Sequence, residues 1–287
     1  MKDLTLHDAD RNRDIPLRVY LPQSTAPAPV ILFSPGLGAD RTGYSYLARR
    51  WSEHGYVVVV LQHPGSDDSV WRGVPPDQIQ AALTAAVNRQ SFVDRVGDVE
   101  AVLDQLKVWN VSSSPPLSHR LDLAHIGMGG HSYGAVTTQA VSGQTFPVPL
   151  TDARIQAALA LSPSSPRTGD PKSAFGHVSI PWMLMTGTRD LSPIGHADVA
   201  SRLAVFPALP PGDKYELVLN GAQHSAFSDR RLISDREPRN PNHHKAIVAL
   251  SIMFWDAYLR GDAAARAWLK GPQPRTLLEA GDRWETR

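Results

Sequence analysis

No cysteine occurs in this chain of 287 residues. That excludes disulfides, thiolate nucleophiles and cysteine-ligated metals or clusters. No apolar run approaches the length of a bilayer-crossing helix. There is no excess of charge of either sign: 29 Lys and Arg stand against 28 Asp and Glu, a formal net charge of +1. Neither nucleic acid nor an acidic membrane is therefore expected as a partner. Repeats, low-complexity tracts and long linkers are also missing, so residues 1–287 read as a single domain of ordinary composition. The amino terminus, Met1-Lys2-Asp3-Leu4-Thr5-Leu6-His7-Asp8, is too polar for a signal peptide, and the lack of cysteine fits a cytoplasmic protein. No H-E-x-x-H is present, and the adjacent His243-His244 point apart on a helix, so neither a metal nor another cofactor is expected.

What is there is an alternation of strands and helices. Ile15–Leu21 alternates as a strand should and is expected at the sheet edge. Pro29–Ser34 and Tyr56–Leu61 are continuous apolar runs, the mark of strands buried on both faces. Leu121–Gly129, Ile155–Leu161, Pro181–Thr186 and Tyr215–Leu219 add four more. Helices are predicted over Tyr44–His54, from about Asp77 to Trp109, after Gly134, around His196–Val205 and over Ile247–Leu259. In the second of these Phe92, Val96, Val99, Leu103 and Leu106 form the apolar stripe. Its charges, Asp94, Arg95, Asp98, Glu100 and Asp104, are read as a solvated surface. The pattern predicts an α/β fold with a mostly parallel sheet covered by helices on both faces.

Gly130-His131-Ser132-Tyr133-Gly134 lies between a predicted strand and a predicted helix, the setting of a nucleophile elbow. Glycines flank a turn too tight for bulk, and the serine oxygen is held above the sheet. A serine hydroxyl needs a base, and a histidine base needs a carboxylate to fix its tautomer. Asp190 follows the Pro181–Thr186 strand and His224 follows the Tyr215–Leu219 strand. Ser132, Asp190 and His224 are therefore the candidate catalytic residues, each just after a strand. His243-His244 is the rival base, but it follows no strand. Asp152, Asp170, Asp198, Asp213 and Asp229 lack the strand-end setting.

An oxyanion needs N–H donors. The backbone of Tyr133, next to the serine, and of Leu37, in the loop after the Pro29–Ser34 strand, are the candidates. Gly36-Leu37-Gly38 does not read as a dinucleotide loop, because Arg41 stands where the third glycine should be. His63, Trp71 and Phe227 lie in loops at the same end of the sheet and are candidates for the substrate pocket.

The sequence resembles the serine-type members of the dienelactone-hydrolase-like branch of α/β hydrolases, a group with platelet-activating-factor acetylhydrolases, chlorophyllases and cutinase-like polyesterases. The resemblance is carried by Phe33-Ser34-Pro35-Gly36-Leu37-Gly38, His54–Val59, Gln62-His63-Pro64-Gly65-Ser66-Asp67, Gly130–Gly134, Gly187-Thr188-Arg189-Asp190, His224–Asp229 and Phe254–Asp262. It implies an α/β-hydrolase fold, Ser132 as nucleophile, Asp190 as acid, His224 as base, and Leu37 and Tyr133 as the oxyanion hole. Dienelactone hydrolases use a cysteine nucleophile, which this chain lacks, so plain carboxylic esters are the expected substrates. No large insertion follows the Ile155–Leu161 strand, which predicts a cleft without a large cap domain.

The expected function is a serine carboxylesterase acting through an acyl-enzyme on a small-molecule or lipid-like ester, with polyesters open as substrates and the oligomeric state undetermined. A serine peptidase of the same fold, or a non-catalytic relative that binds a ligand or a protein, stand beside it.

Overall fold

Val57–Leu61, five consecutive β-branched or leucine side chains, are all buried, so this strand must lie inside a covered sheet. The structure, a computed structural model, describes every residue except 114, 115, 193, 196, 233, 234 and 236. In chain order the first elements are β1 (Lys2–Asp8), β2 (Arg13–Tyr20), β3 (Ala28–Ser34), α1 (Ser45–Glu53), β4 (Val57–Leu61), α2 (Ile79–Ala86) and α3 (Arg89–Val111). There follow β5 (Leu121–His131), α4 (Tyr133–Val141), β6 (Ile155–Leu161), α5 (Pro171–Phe175), β7 (Trp182–Arg189), α6 (Val199–Leu203) and α7 (Val205–Ala208). β8 (Lys214–Gln223), α8 (Pro241–Leu259), α9 (Ala263–Lys270) and β9 (Arg283–Thr286) complete the chain.

All these strands join one sheet in the order β1-β2-β4-β3-β5-β6-β7-β8-β9. The six central strands, from β4 across to β8, run parallel. Antiparallel neighbours flank them: β1 and β2 on one side, β9 on the other. Alternate residues of the parallel strands face opposite layers. Ile31, Phe33, Val58 and Val60 pack with Leu47 and Trp51 of α1 and Ile247, Leu250, Phe254 and Trp255 of α8. Val30, Leu32, Val57 and Val59 pack with Val99, Val102, Leu103 and Leu106 of α3. This is the α/β-hydrolase fold that the sequence resemblance implies. The connection from β6 to β7 carries only the short α5, with no large cap. Among the described residues no helix is long and apolar enough to cross a membrane.

Several expectations need correction. β2 is not the edge strand, because β1 pairs outside it from Lys2↔Val19 to Asp8↔Arg13. β1 presents mostly polar, exposed residues and buries only Leu6, so its sequence lacks a strand's apolar rhythm. The helix expected over 77–109 is two helices. Asn88 breaks it by capping α3, accepting the Ser91 N–H while the Ser91 hydroxyl accepts its own N–H. Two charges read as solvated, Arg95 and Asp98, are 1% and 0% exposed. They fall three and six residues after Phe92, on the face that α3 turns inward. Between Asp190 and β8 the helical residues are α6 and α7, and His196 lies outside the described residues. α8 begins at Pro241, earlier than the apolar stripe suggested, because Asn240 caps it and proline suits its first turn.

Candidate active site

Ser132 ends the run of β5 into α4 with φ +57° and ψ −117°, a conformation that non-glycine residues rarely adopt. Its neighbours explain how so strained a turn fits. A Cβ at Gly134 would run into the Ser34 carbonyl of β3, and one at Gly130 would run into the Gly134 carbonyl. Glycine is thus required on both sides for helix α4 to lie this close to the sheet. The Ser132 N–H donates to Leu161 O of β6 at 2.9 Å.

The carboxyl ends of β7 and β8 bring the other two candidates to Ser132. His224 Nε2 lies 2.8 Å from Ser132 Oγ, and its Nδ1 lies 2.7 Å from Asp190 Oδ1. Asp190 Oδ2 accepts from the Thr186 hydroxyl at 2.8 Å. Burial alone would raise the Asp190 carboxyl, but the charge and hydrogen bond of His224 and the charge of Arg202 outweigh it. The group is held well below the usual carboxylate range. Asp190 is therefore ionised, and it fixes the proton of His224 on Nδ1, leaving Nε2 to accept from the serine.

Arg202 of α6 was not singled out by the sequence. It is 1% exposed, with Nε 3.0 Å from Asp190 Oδ1 and 2.7 Å from the Asp190 carbonyl. Its Nη1 donates to Ser162 O at 2.7 Å. Its Nη2 lies 3.2 Å from His224 Nδ1. Since that nitrogen already bears the proton shared with Asp190, this last contact supplies charge rather than a hydrogen bond.

The loop after β3 adjoins the serine: a Cβ on Gly36 would sit 3.4 Å from Ser132 Cβ. Neither the Leu37 N–H nor the Tyr133 N–H meets a hydrogen-bond acceptor among the described residues. The next amide, Gly38, donates to Ser66 O at 2.9 Å. A buried relay braces this corner. The Gly36 N–H donates to Tyr44 Oη at 3.0 Å, and Tyr44 Oη lies 2.9 Å from His131 Nδ1. His131 Nε2 lies 3.1 Å from the His224 carbonyl. A carbonyl only accepts, so Nε2 carries the ring proton and Nδ1 accepts from the tyrosine. Burial, then the neighbouring His224, push His131 well below the usual histidine range, in keeping with a neutral ring.

Ser132 faces a cavity of about 1430 Å³ lined by Leu37, Trp71, Leu83, Val136, Phe146 and His224, among others. Of the three residues expected to line a pocket, Trp71 does so, with its Nε1 donating to Gly38 O at 2.7 Å. His63 and Phe227 do not: they are 1% and 0% exposed. His63 turns inward because Asp98 and Ser34 take its two nitrogens. Phe227 packs into the core layer beneath His131, ring centroids 5.9 Å apart. The helix read from about Asp77 was not assigned to the pocket, yet Ile79 and Leu83 of α2 with nearby Val87 form an apolar wall of it.

The rival groups have other partners. His244 stacks on Tyr46 at 3.7 Å, and His243 Nε2 lies 3.1 Å from Asn220 O. Asp170 and Asp198 cap α5 and α6, and Asp229 accepts from the first amide of α1. Asp152 pairs with Arg154, and Asp213 with Arg266 and Lys270. Among the described residues no group of three or more His, Asp or Glu is placed to hold a metal ion.

A search of curated proteins finds no match to the chain. A family model does match: platelet-activating factor acetylhydrolase, isoform II, over residues 20–83. That stretch runs from the end of β2 through the loop at Leu37, α1 and β4 into α2. It supports the resemblance read from the sequence: this chain has an α/β-hydrolase fold and is similar, over residues 20–83, to platelet-activating factor acetylhydrolase, isoform II.

Proposed function

We propose that the protein is a serine hydrolase that cleaves carboxylic esters through an acyl-enzyme. The observation that carries this reading is the pair of hydrogen bonds at His224, 2.8 Å to Ser132 Oγ and 2.7 Å to an ionised Asp190. Ser132 Oγ attacks the ester carbonyl while His224 Nε2 takes its proton. The new imidazolium is stabilised by Asp190, and the oxyanion by the free N–H groups of Leu37 and Tyr133. His224 then passes the proton to the leaving alkoxide, and the C–O bond to the alcohol breaks. A water, deprotonated by His224, attacks the acyl carbon; the bond to Ser132 Oγ then breaks, His224 returns the proton to Oγ, and the acid is released. The preset donors and the strained Ser132 turn remove reorganisation from the step, because no group has to move as charge develops.

The cavity walls favour an ester with a sizeable apolar part, since Leu37, Leu83, Val87, Phe92, Val136 and Phe146 all face it. A lipid-like substrate class agrees with the name of the matched family, an acetylhydrolase. The test is hydrolysis of short and long p-nitrophenyl esters together with fluorophosphonate labelling. Turnover and labelling are expected at Ser132 and lost in Ser132→Ala. An Ser132→Ala variant that retains turnover would sink the assignment.

A further inference from the structure

Behind the cavity the structure repeats the Ser–His–Asp arrangement. Ser34 Oγ lies 2.9 Å from His63 Nε2, and His63 Nδ1 lies 2.9 Å from Asp98 Oδ2. All three are at most 1% exposed, so no substrate reaches Ser34. The proton positions follow from the partners. Asp98 takes a two-point contact from Arg13, 2.7 Å to Oδ1 and 2.9 Å to Oδ2, and Arg11 Nη1 lies 3.0 Å from it. An ionised Asp98 accepts the His63 Nδ1–H, which leaves Nε2 bare. The Ser34 hydroxyl must then donate to His63, which turns its lone pairs towards Arg95, whose Nη2 lies 3.0 Å away.

Arg95 is the hub. Its Nη2 also donates to the Pro35 carbonyl, two residues before Leu37. Its Nη1 donates to Ser66 Oγ at 2.9 Å, and the Ser66 carbonyl receives the Gly38 N–H at 2.9 Å. On the other side Nε donates to Thr137 Oγ1 at 3.0 Å, and the guanidinium lies over the Tyr133 ring, 4.6 Å from its centroid. One planar, rigid group thus holds the segments before and after Leu37 and the first turn of α4, which carries Tyr133. Buried charge is a poor source of net stability, because desolvation offsets the attraction. Fixed donor directions are, by contrast, a good means of holding backbone segments at a set spacing.

We propose that Arg95, oriented by the Ser34–His63–Asp98 array, is a positioning residue that sets the separation of the Leu37 and Tyr133 N–H groups and so builds the oxyanion hole. The proposal rests on the ester-hydrolase reading above. Arg95 touches no reacting atom; it acts through the two backbone segments. Only interactions with the carbonyl oxygen depend on that spacing, whereas the Ser132–His224–Asp190 contacts do not.

The experiment compares an ester with its thionoester, in which sulfur replaces the carbonyl oxygen and accepts hydrogen bonds poorly. Arg95→Lys keeps the charge and loses the fork; Ser34→Ala removes the hydroxyl that orients it. Active sites are titrated with a fluorophosphonate, so that rates refer to folded enzyme. In both variants kcat on the oxoester is expected to fall by about 100-fold with KM little changed. The thionoester rate should fall far less, so the oxo-to-thiono ratio collapses. Equal losses on both substrates, or no loss on either, overturn the proposal. If Arg95→Lys fails to fold, Ser34→Ala decides alone by the same ratio. Wild-type protein without ester turnover would instead overturn the functional reading, and this proposal with it.

Discussion

Consider the stability of the protein between neutral pH and pH 4, wild type against His63→Gln. Burial in a dry site is the main influence on His63, and it disfavours the imidazolium. Arg95 and Arg13 act in the same sense, while the hydrogen bond and charge of Asp98 oppose them. The outcome lowers the group from 6.5 to about 4. In the unfolded chain the ring takes its proton near 6.5; in the folded protein it does not until about 4. Between these values the unfolded state binds more protons, so acid favours unfolding. The gap, at about 1.36 kcal/mol per pH unit, amounts to roughly 3 kcal/mol, lost as pH falls from 6.5 to 4 and constant outside that window. Asp98, lowered from 3.8 to about 2, continues the loss only below that range. His131 and His244 are also lowered, but they remain in the variant and cancel in the comparison. Glutamine cannot titrate. Urea unfolding followed by circular dichroism should show the wild type losing roughly 3 kcal/mol more than His63→Gln over the window. The variant should be the less stable protein near neutrality. Parallel pH profiles for the two proteins would refute the buried, neutral His63 on which the reasoning depends.

Tyr44→Phe removes the hydroxyl that joins the Gly36 N–H to His131 Nδ1. With two buried groups left unpaired it should cost about 1–3 kcal/mol in urea unfolding and lower kcat on a p-nitrophenyl ester; unchanged stability and rate would show the relay to be idle. Gly134→Ala places a methyl against the Ser34 carbonyl and should prevent native folding, read as loss of the near-ultraviolet circular dichroism signal, whereas an active, folded variant would contradict the close strand–helix contact. Phe146 and Phe92 face the cavity with ring centroids 5.5 Å apart. Phe146→Ala should raise KM for long-chain esters by about tenfold and leave acetate esters unaffected, and an equal effect on both would place the apolar chain elsewhere.

The parallel strands were legible because full burial writes itself as an unbroken apolar run, as in Val57–Leu61. The polar β1 could not be read that way. It is held by backbone pairing with β2 and shows water most of its side chains. Ser132, Asp190 and His224 were legible because each combines a chemically suited residue with a strand end. Arg95, Asp98 and Arg202 were not, since their types argue for solvent and only their positions argue for burial. Arg95 and Asp98 do sit at helical spacing with Phe92, Val99 and Val102, so position was the better guide. His63 and Phe227 failed for the opposite reason. A loop at the active end of a sheet can turn a side chain into the core as readily as into the cavity, and the sequence has no signal for which.

The sheet order explains why the candidate site has the chain order it does. β5 is central, with β3 on one side and β6, β7 and β8 added outward on the other. Every parallel strand delivers its carboxyl end to the same edge, so the loop after β3 and the turn after β5 are neighbours by construction. They carry the Leu37 and Tyr133 N–H groups, which meet no acceptor among the described residues. β6 separates β5 from β7, and its last residue, Leu161, receives the Ser132 N–H. Asp190 and His224 reach across that gap because β7 and β8 run on to Arg189 and Gln223. The distance is closed by a buried polar network: Arg202 pins Asp190 and the loop after β6 together, and His131 pins the His224 backbone to the elbow. The strand topology therefore brings the three side chains to one edge, and the buried Arg202 and the buried neutral His131 bring them into register.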